Sequence, residues 1–173
     1  MDTEWLYTPD EYGETPLSRV AKSGRAEISR LMIMQEINDA HRELSVMPAL
    51  HRAAYWGYED AVKDLIEDGA DPSEMDGQGE TPLHKAARLG NDEAVETLLM
   101  NGAEPDAPNS LGLTPLHWAA LTGQEEIIES LLSYGANPFR CDWVTGGMTA
   151  LDFARCMGYK EASDVLERNM AIV

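Results

Sequence analysis

The amino-acid sequence predicts an all-α solenoid of five stacked helix–turn–helix repeats carrying β-turn fingers, and three observations lead there. Thr81-Pro82-Leu83-His84-Lys85-Ala86-Ala87-Arg88-Leu89-Gly90 recurs as Thr114-Pro115-Leu116-His117-Trp118-Ala119-Ala120-Leu121-Thr122-Gly123. The aligned leucines Leu17, Leu50, Leu83, Leu116 and Leu151 stand 33, 33, 33 and 35 residues apart. Each central copy also ends on a similar stop: Gly69-Ala70-Asp71-Pro72, Gly102-Ala103-Glu104-Pro105 and Gly135-Ala136-Asn137-Pro138. A fixed period of this length means units that bury their apolar faces on one another.

Within a copy, Thr81 suits an N-cap and Pro82 the first helical position, where a missing N–H costs nothing. Leu83 and Ala87 recur at helical spacing, and the small Ala86 and Ala87 allow close approach of a neighbouring helix. Gly90 supplies the left-handed residue that ends a short helix. Asn91-Asp92-Glu93 then opens a second helix with acidic residues in its first turn, and Ala94, Val95, Leu98 and Leu99 give that helix its apolar face. Ala61, Val62, Leu65 and Ile66 do the same one copy earlier, and Ile127, Ile128, Leu131 and Leu132 one copy later. Between helix pairs, Asp76-Gly77-Gln78-Gly79 and Asn109-Ser110-Leu111-Gly112 carry the Asx and Gly residues of hairpin-like turns.

The copies divide the chain into an extension at 1–9 and one repeat domain at 10–173, with repeats near 10–42, 43–75, 76–108, 109–141 and 142–173. The outer two are atypical. Ser18 stands for His in the first. In the last, Asp152 stands for His, and Ser163 and Glu167 replace apolar residues, as polar end caps require. The second copy has Pro48-Ala49 for Thr-Pro. The finger at Asp142–Met148 carries two extra residues, and insertions of this kind map to loops, often on a binding face.

These motifs resemble those of the ankyrin-repeat family, whose unit is a β-turn finger, Thr-Pro-Leu-His-x-Ala-Ala, Gly, a Leu-Leu helix and Gly-Ala-Asp. The resemblance spans roughly residues 10 to 168. It implies that His51, His84 and His117 hydrogen-bond the backbone near their own Thr-Pro turns. It also implies partner binding on a concave side built from finger tips and first helices.

Composition narrows the function. With 13 basic and 31 acidic residues the net charge is −18, which disfavours nucleic acid and favours a basic protein partner. No apolar run approaches the ~20 residues of a membrane span. The opening Met1-Asp2-Thr3-Glu4-Trp5 lacks the basic and apolar regions of a secretory leader. Two cysteines make no disulfide framework or Cys-x-x-Cys zinc pair, so a reducing cytoplasmic or nuclear setting is expected. The three aligned histidines would lie about 10 Å apart, too far to share an ion. No phosphate-binding loop, nucleophile elbow or His-Glu-x-x-His helix occurs. Cys156 is expected to be a small packed residue and Trp118 to pack between helices. No catalytic, metal or cofactor residue is therefore assigned, and a monomeric protein-binding module is expected.

Its candidate contact residues are Tyr12, Tyr55, Trp56, Glu80, Arg88, Leu89, Leu111, Leu113, Leu121, Trp143, Met148 and Met157. Aromatic and aliphatic side chains at positions free to be polar resemble an interface core. Carboxylates on the finger tips, Glu11, Glu14 and Glu80, would form its rim. The alternative is a structural scaffold subunit whose aromatic patch is a permanent assembly interface.

Overall fold

A computed structural model describes residues 47–144 and 147–171, which lie in one compact unit, Val46–Val173. The first copy, Tyr12, Glu11, Glu14, His41 and the turn before Met47 lie outside the described residues. Within them are four helix pairs and no strand. The first helices are α1 (Ala49–Trp56), α3 (Pro82–Leu89), α5 (Pro115–Thr122) and α7 (Ala150–Met157). The second helices are α2 (Glu59–Glu67), α4 (Asp92–Met100), α6 (Glu125–Ser133) and α8 (Lys160–Met170). First helices pack on first helices in chain order, second helices on second helices, and each pair on itself. This is the all-α repeat solenoid that the leucine register predicts.

The core follows the repeat. Leu50, Leu83, Leu116 and Leu151 are buried, with Ala53, Ala54, Ala86, Ala87, Ala119, Ala120 and Ala154 between helices. Val62, Val95, Leu98, Ile128, Leu131 and Leu166 close the core from the second-helix row. Truncating such a leucine to alanine costs about 2–5 kcal/mol. In α7 the second alanine of the pattern is replaced by Arg155, which is exposed and pairs with Glu167 at 2.8 Å.

Each first helix ends on a glycine in the left-handed region, for example Gly90 at φ 74° and Gly123 at φ 73°. These two positions are also crowded. A Cβ on Gly90 would meet the Gln124 side chain at 2.8 Å, and one on Gly123 the Tyr159 ring at 2.7 Å. The residue after the glycine can reach back too: Asn91 Nδ2 donates to the carbonyls of Ala54 and Tyr55, both at 2.9 Å.

The histidines tie turn to turn. Nδ1 of His84 accepts from the Thr81 backbone N–H at 3.0 Å and lies 2.8 Å from the Thr81 hydroxyl. Since Nδ1 accepts, Nε2 carries the proton and donates to the Leu113 carbonyl of the next finger at 3.0 Å. His117 repeats this with Thr114 and with the Met148 carbonyl at 3.3 Å. The bond to the own turn is the one the resemblance implied. The bond to the next repeat is additional, and it makes each histidine an inter-repeat strut. Burial holds the imidazole of His84 down at about 4 and lowers those of His51 and His117, because a charged ring would be desolvated.

Two expectations about packing are corrected. Ser163 does not face outward. It is buried, and its hydroxyl donates to the Tyr159 carbonyl at 2.8 Å, which makes the polar group tolerable there. Cys156 is exposed rather than packed, as is Cys141; it stands two residues, about 200° of helical turn, from the buried Ala154. In the same helix Asp152 takes over the turn half of the histidine's task. Its Oδ2 accepts from the Thr149 N–H at 2.9 Å and hydroxyl at 2.7 Å, and these bonds hold its carboxyl below the usual range.

Candidate protein-binding face

The fingers are built by one side chain each. Oδ1 of Asp76 accepts from the N–H groups of Gln78 and Glu80, Oδ1 of Asn109 from Leu111 and Leu113, and Oδ1 of Asp142 from Gly147 and Met148. In the longer third finger the carboxylate reaches the N–H groups five and six residues on, where the shorter fingers bond two and four residues on. Neighbouring fingers are joined: Ser110 N–H and hydroxyl donate to the Gln78 carbonyl, and Trp143 N–H to the Leu111 carbonyl. The Trp143 indole lies directly on Gly112, where a Cβ would meet the ring at 2.6 Å. Leu111 and Val144 are exposed beside it, and Trp143 itself is 67% exposed. Leu113 and Met148 are half-buried and lend their carbonyls to the histidine struts.

A second apolar row lies at the ends of the first helices, one step before each terminal glycine. Trp56, Leu89 and Met157 hold equivalent positions six residues after Leu50, Leu83 and Leu151, and all three are exposed. In α5 the position is Thr122, whose hydroxyl donates back to the Trp118 carbonyl at 2.9 Å. Tyr55 and Leu121, one residue earlier, are half-buried. Tyr55 and Trp56 stack edge to face with centroids 5.0 Å apart. The row is bordered by the acidic first turns of the second helices: Glu59 and Asp60, Asp92 and Glu93, Glu125 and Glu126. Burial, and then the charges of Glu126, Glu93 and Glu96, raise the Asp92 carboxyl.

The rim expected at Glu80 is corrected. Glu80 is not on a rim; it is 2% exposed. The reason is Lys85, itself buried, whose ammonium pairs with the carboxylates of Glu80 and of Asp76, the latter at 2.8 Å. Asn109 Nδ2 adds a contact to Glu80 at 3.3 Å. Burial alone would raise the Asp76 carboxyl, but Lys85 and the finger N–H groups hold it below the usual range. The sequence signal is Lys85 standing where other copies carry Arg52, Trp118 and Phe153, within reach of Asp76 and Glu80 in its own finger. The acidic first turns are legible in the sequence as helix starts.

Trp118 is half-buried between repeats, with the Arg88 guanidinium 5.1 Å from its ring centroid. Among the described residues no group of three or more His, Cys, Asp or Glu side chains is placed to hold a metal ion. None of the helices among them is long and apolar enough to cross a membrane.

Comparison with known proteins agrees with this geometry. The family model described as ankyrin repeats (3 copies) matches residues 83–171, and that described as ankyrin repeats (many copies) matches residues 50–99. No curated protein matches the chain. Repeats of this kind are general modules of protein–protein interaction and typically not enzymes. The first match alone spans half of the sequence, and the chain belongs to the ankyrin-repeat family.

Proposed function

We propose that the chain acts as a monomeric adaptor, inhibitor or escort that binds a basic protein on the face formed by its fingers and first-helix ends. One observation carries the reading: Trp56, Leu89 and Met157 are exposed at the same position of three repeats, where solvent alone would favour polar side chains. Aromatic anchors ringed by charge are the usual composition of a protein contact. The surrounding carboxylates and the net charge of −18 suit a basic partner, which they would steer at low salt. Two exposed free cysteines suit a reducing cytoplasmic or nuclear setting.

The test is capture of partners at low and high salt with identification by mass spectrometry, followed by affinity measurement across salt concentrations. A basic protein retained at low salt, with affinity falling steeply as salt rises, is the expected result. A neutral or acidic partner held independently of salt would overturn it. So would tight self-association of the isolated chain in sedimentation, which would instead favour the permanent-assembly role.

A further inference from the structure

Among the described residues, the ends of the first helices carry one cation. Of the residues at the last two positions of the first helices (Tyr55, Trp56, Arg88, Leu89, Leu121, Thr122, Cys156 and Met157) only Arg88 is charged. Its guanidinium is held from two sides. Trp118 of the next repeat lies under it, 5.1 Å to the ring centroid. The Glu80 carboxylate of its own repeat lies 3.9 Å from Nη1, close enough to orient the charge but beyond hydrogen-bond reach. Glu80 cannot follow the guanidinium outward, because Lys85 and Asn109 anchor it. Charges within the cluster balance, with Asp76 and Glu80 against Lys85 and Arg88. The Arg88 side chain remains 30% exposed. A guanidinium held over an aromatic ring and still partly exposed keeps N–H donors free, in the fork that matches a carboxylate.

We infer that Arg88 is a preorganised receptor for one carboxylate of the bound protein, presented between apolar residues that cover Leu89 and Tyr55. This rests on the binding face proposed above and adds a specificity rule to it: a segment that is apolar and basic overall must bring an acidic side chain to this one point. The acidic border sets the sign of the partner at long range, whereas Arg88 reads a single group at contact. Ordering costs at Arg88 are already met in the free protein, which is the condition for a polar contact to add affinity.

The experiment is selection of a random peptide display library on the full chain, followed by a double-mutant cycle on the tightest soluble peptide. Enriched peptides are expected to share an Asp or Glu flanked by apolar residues. Arg88→Ala should weaken the selected peptide about tenfold or more, and changing its acidic residue to the amide should do the same. The two changes together should cost little beyond either alone, which is the mark of a direct pair. Arg88→Lys should recover only part of the loss, since a point charge lacks the fork. Enriched peptides without an acidic residue, or additive losses in the cycle, overturn the assignment. Trp56→Ala separates the two readings. If it abolishes binding while the cycle shows no coupling, the face stands and the role of Arg88 falls. If it and Arg88→Ala both leave binding unchanged, both readings fall.

Discussion

Pro48 stands where the two best copies have threonine, and the consequence is one orphaned atom. Nε2 of His51 bonds the Glu80 carbonyl at 2.8 Å, but Nδ1 is buried without a partner, because proline offers neither N–H nor hydroxyl. The backbone at Pro48, φ −56° and ψ 154°, lies close to that of Thr81 at −87° and 166°, so threonine fits without strain. Pro48→Thr should therefore stabilise the protein by about 1 kcal/mol, measured by urea unfolding; no gain would mean that the orphan is already satisfied. His84 makes a prediction about pH. Its folded value, about 4, lies below the ordinary 6.5, so between those values the unfolded chain binds more protons and stability falls with falling pH. The contribution is fully present above pH 6.5 and declines by about 3 kcal/mol as pH approaches 4. Unfolding free energies at pH 7.5 and 5 should show the drop, and His84→Gln should make it shallower, leaving the part due to His51 and His117.

At the scale of the element, the helix-ending glycines combine a backbone need with a packing need, and the two can be separated. Gly135, at φ 90°, has open space around its missing Cβ, whereas Gly90 faces a flexible Gln124 and Gly123 a Tyr159 ring. Alanine at Gly135 should cost roughly the 1–2 kcal/mol of a left-handed non-glycine residue. Gly90→Ala should cost somewhat more, and Gly123→Ala the most, because a Cβ there meets three atoms of a rigid ring, which yields less easily than a flexible amide side chain. Thermal melts of the three variants give the order directly; equal losses would show that only the backbone matters. The elements were readable in advance because their signals are local: Thr-Pro, the leucine and alanine spacing, and the terminal glycine each act within one turn of helix. What was unreadable depends on contacts across turns. Glu80 looks like any finger-tip carboxylate until Lys85 folds back on it, and the histidine bond to the next finger spans 29 residues in the case of His84.

For the whole molecule, one repeated scaffold presents variable positions at a regular spacing. The scaffold residues recur because each repeat must bury the same face on its neighbour. The positions outside that constraint differ from copy to copy, and there Trp56, Arg88, Leu89 and Met157 appear. Sequence periodicity thus identified positions the fold leaves free, and Trp56, Leu89, Leu111, Trp143 and Met157 are exposed there. The acidic border at the second-helix starts was less apparent, since a carboxylate in a first turn already has a sufficient reason in the helix dipole. The most direct measurement is the affinity of the captured partner for Trp56→Ala and for Glu96→Ala, an exposed change on the second helix α4, with melting temperatures in parallel. Trp56→Ala should weaken binding by about 2 kcal/mol or more with its melting temperature nearly unchanged, and Glu96→Ala should bind like the wild type. Loss of binding in Glu96→Ala with full binding in Trp56→Ala would place the partner on the second-helix side and contradict the account.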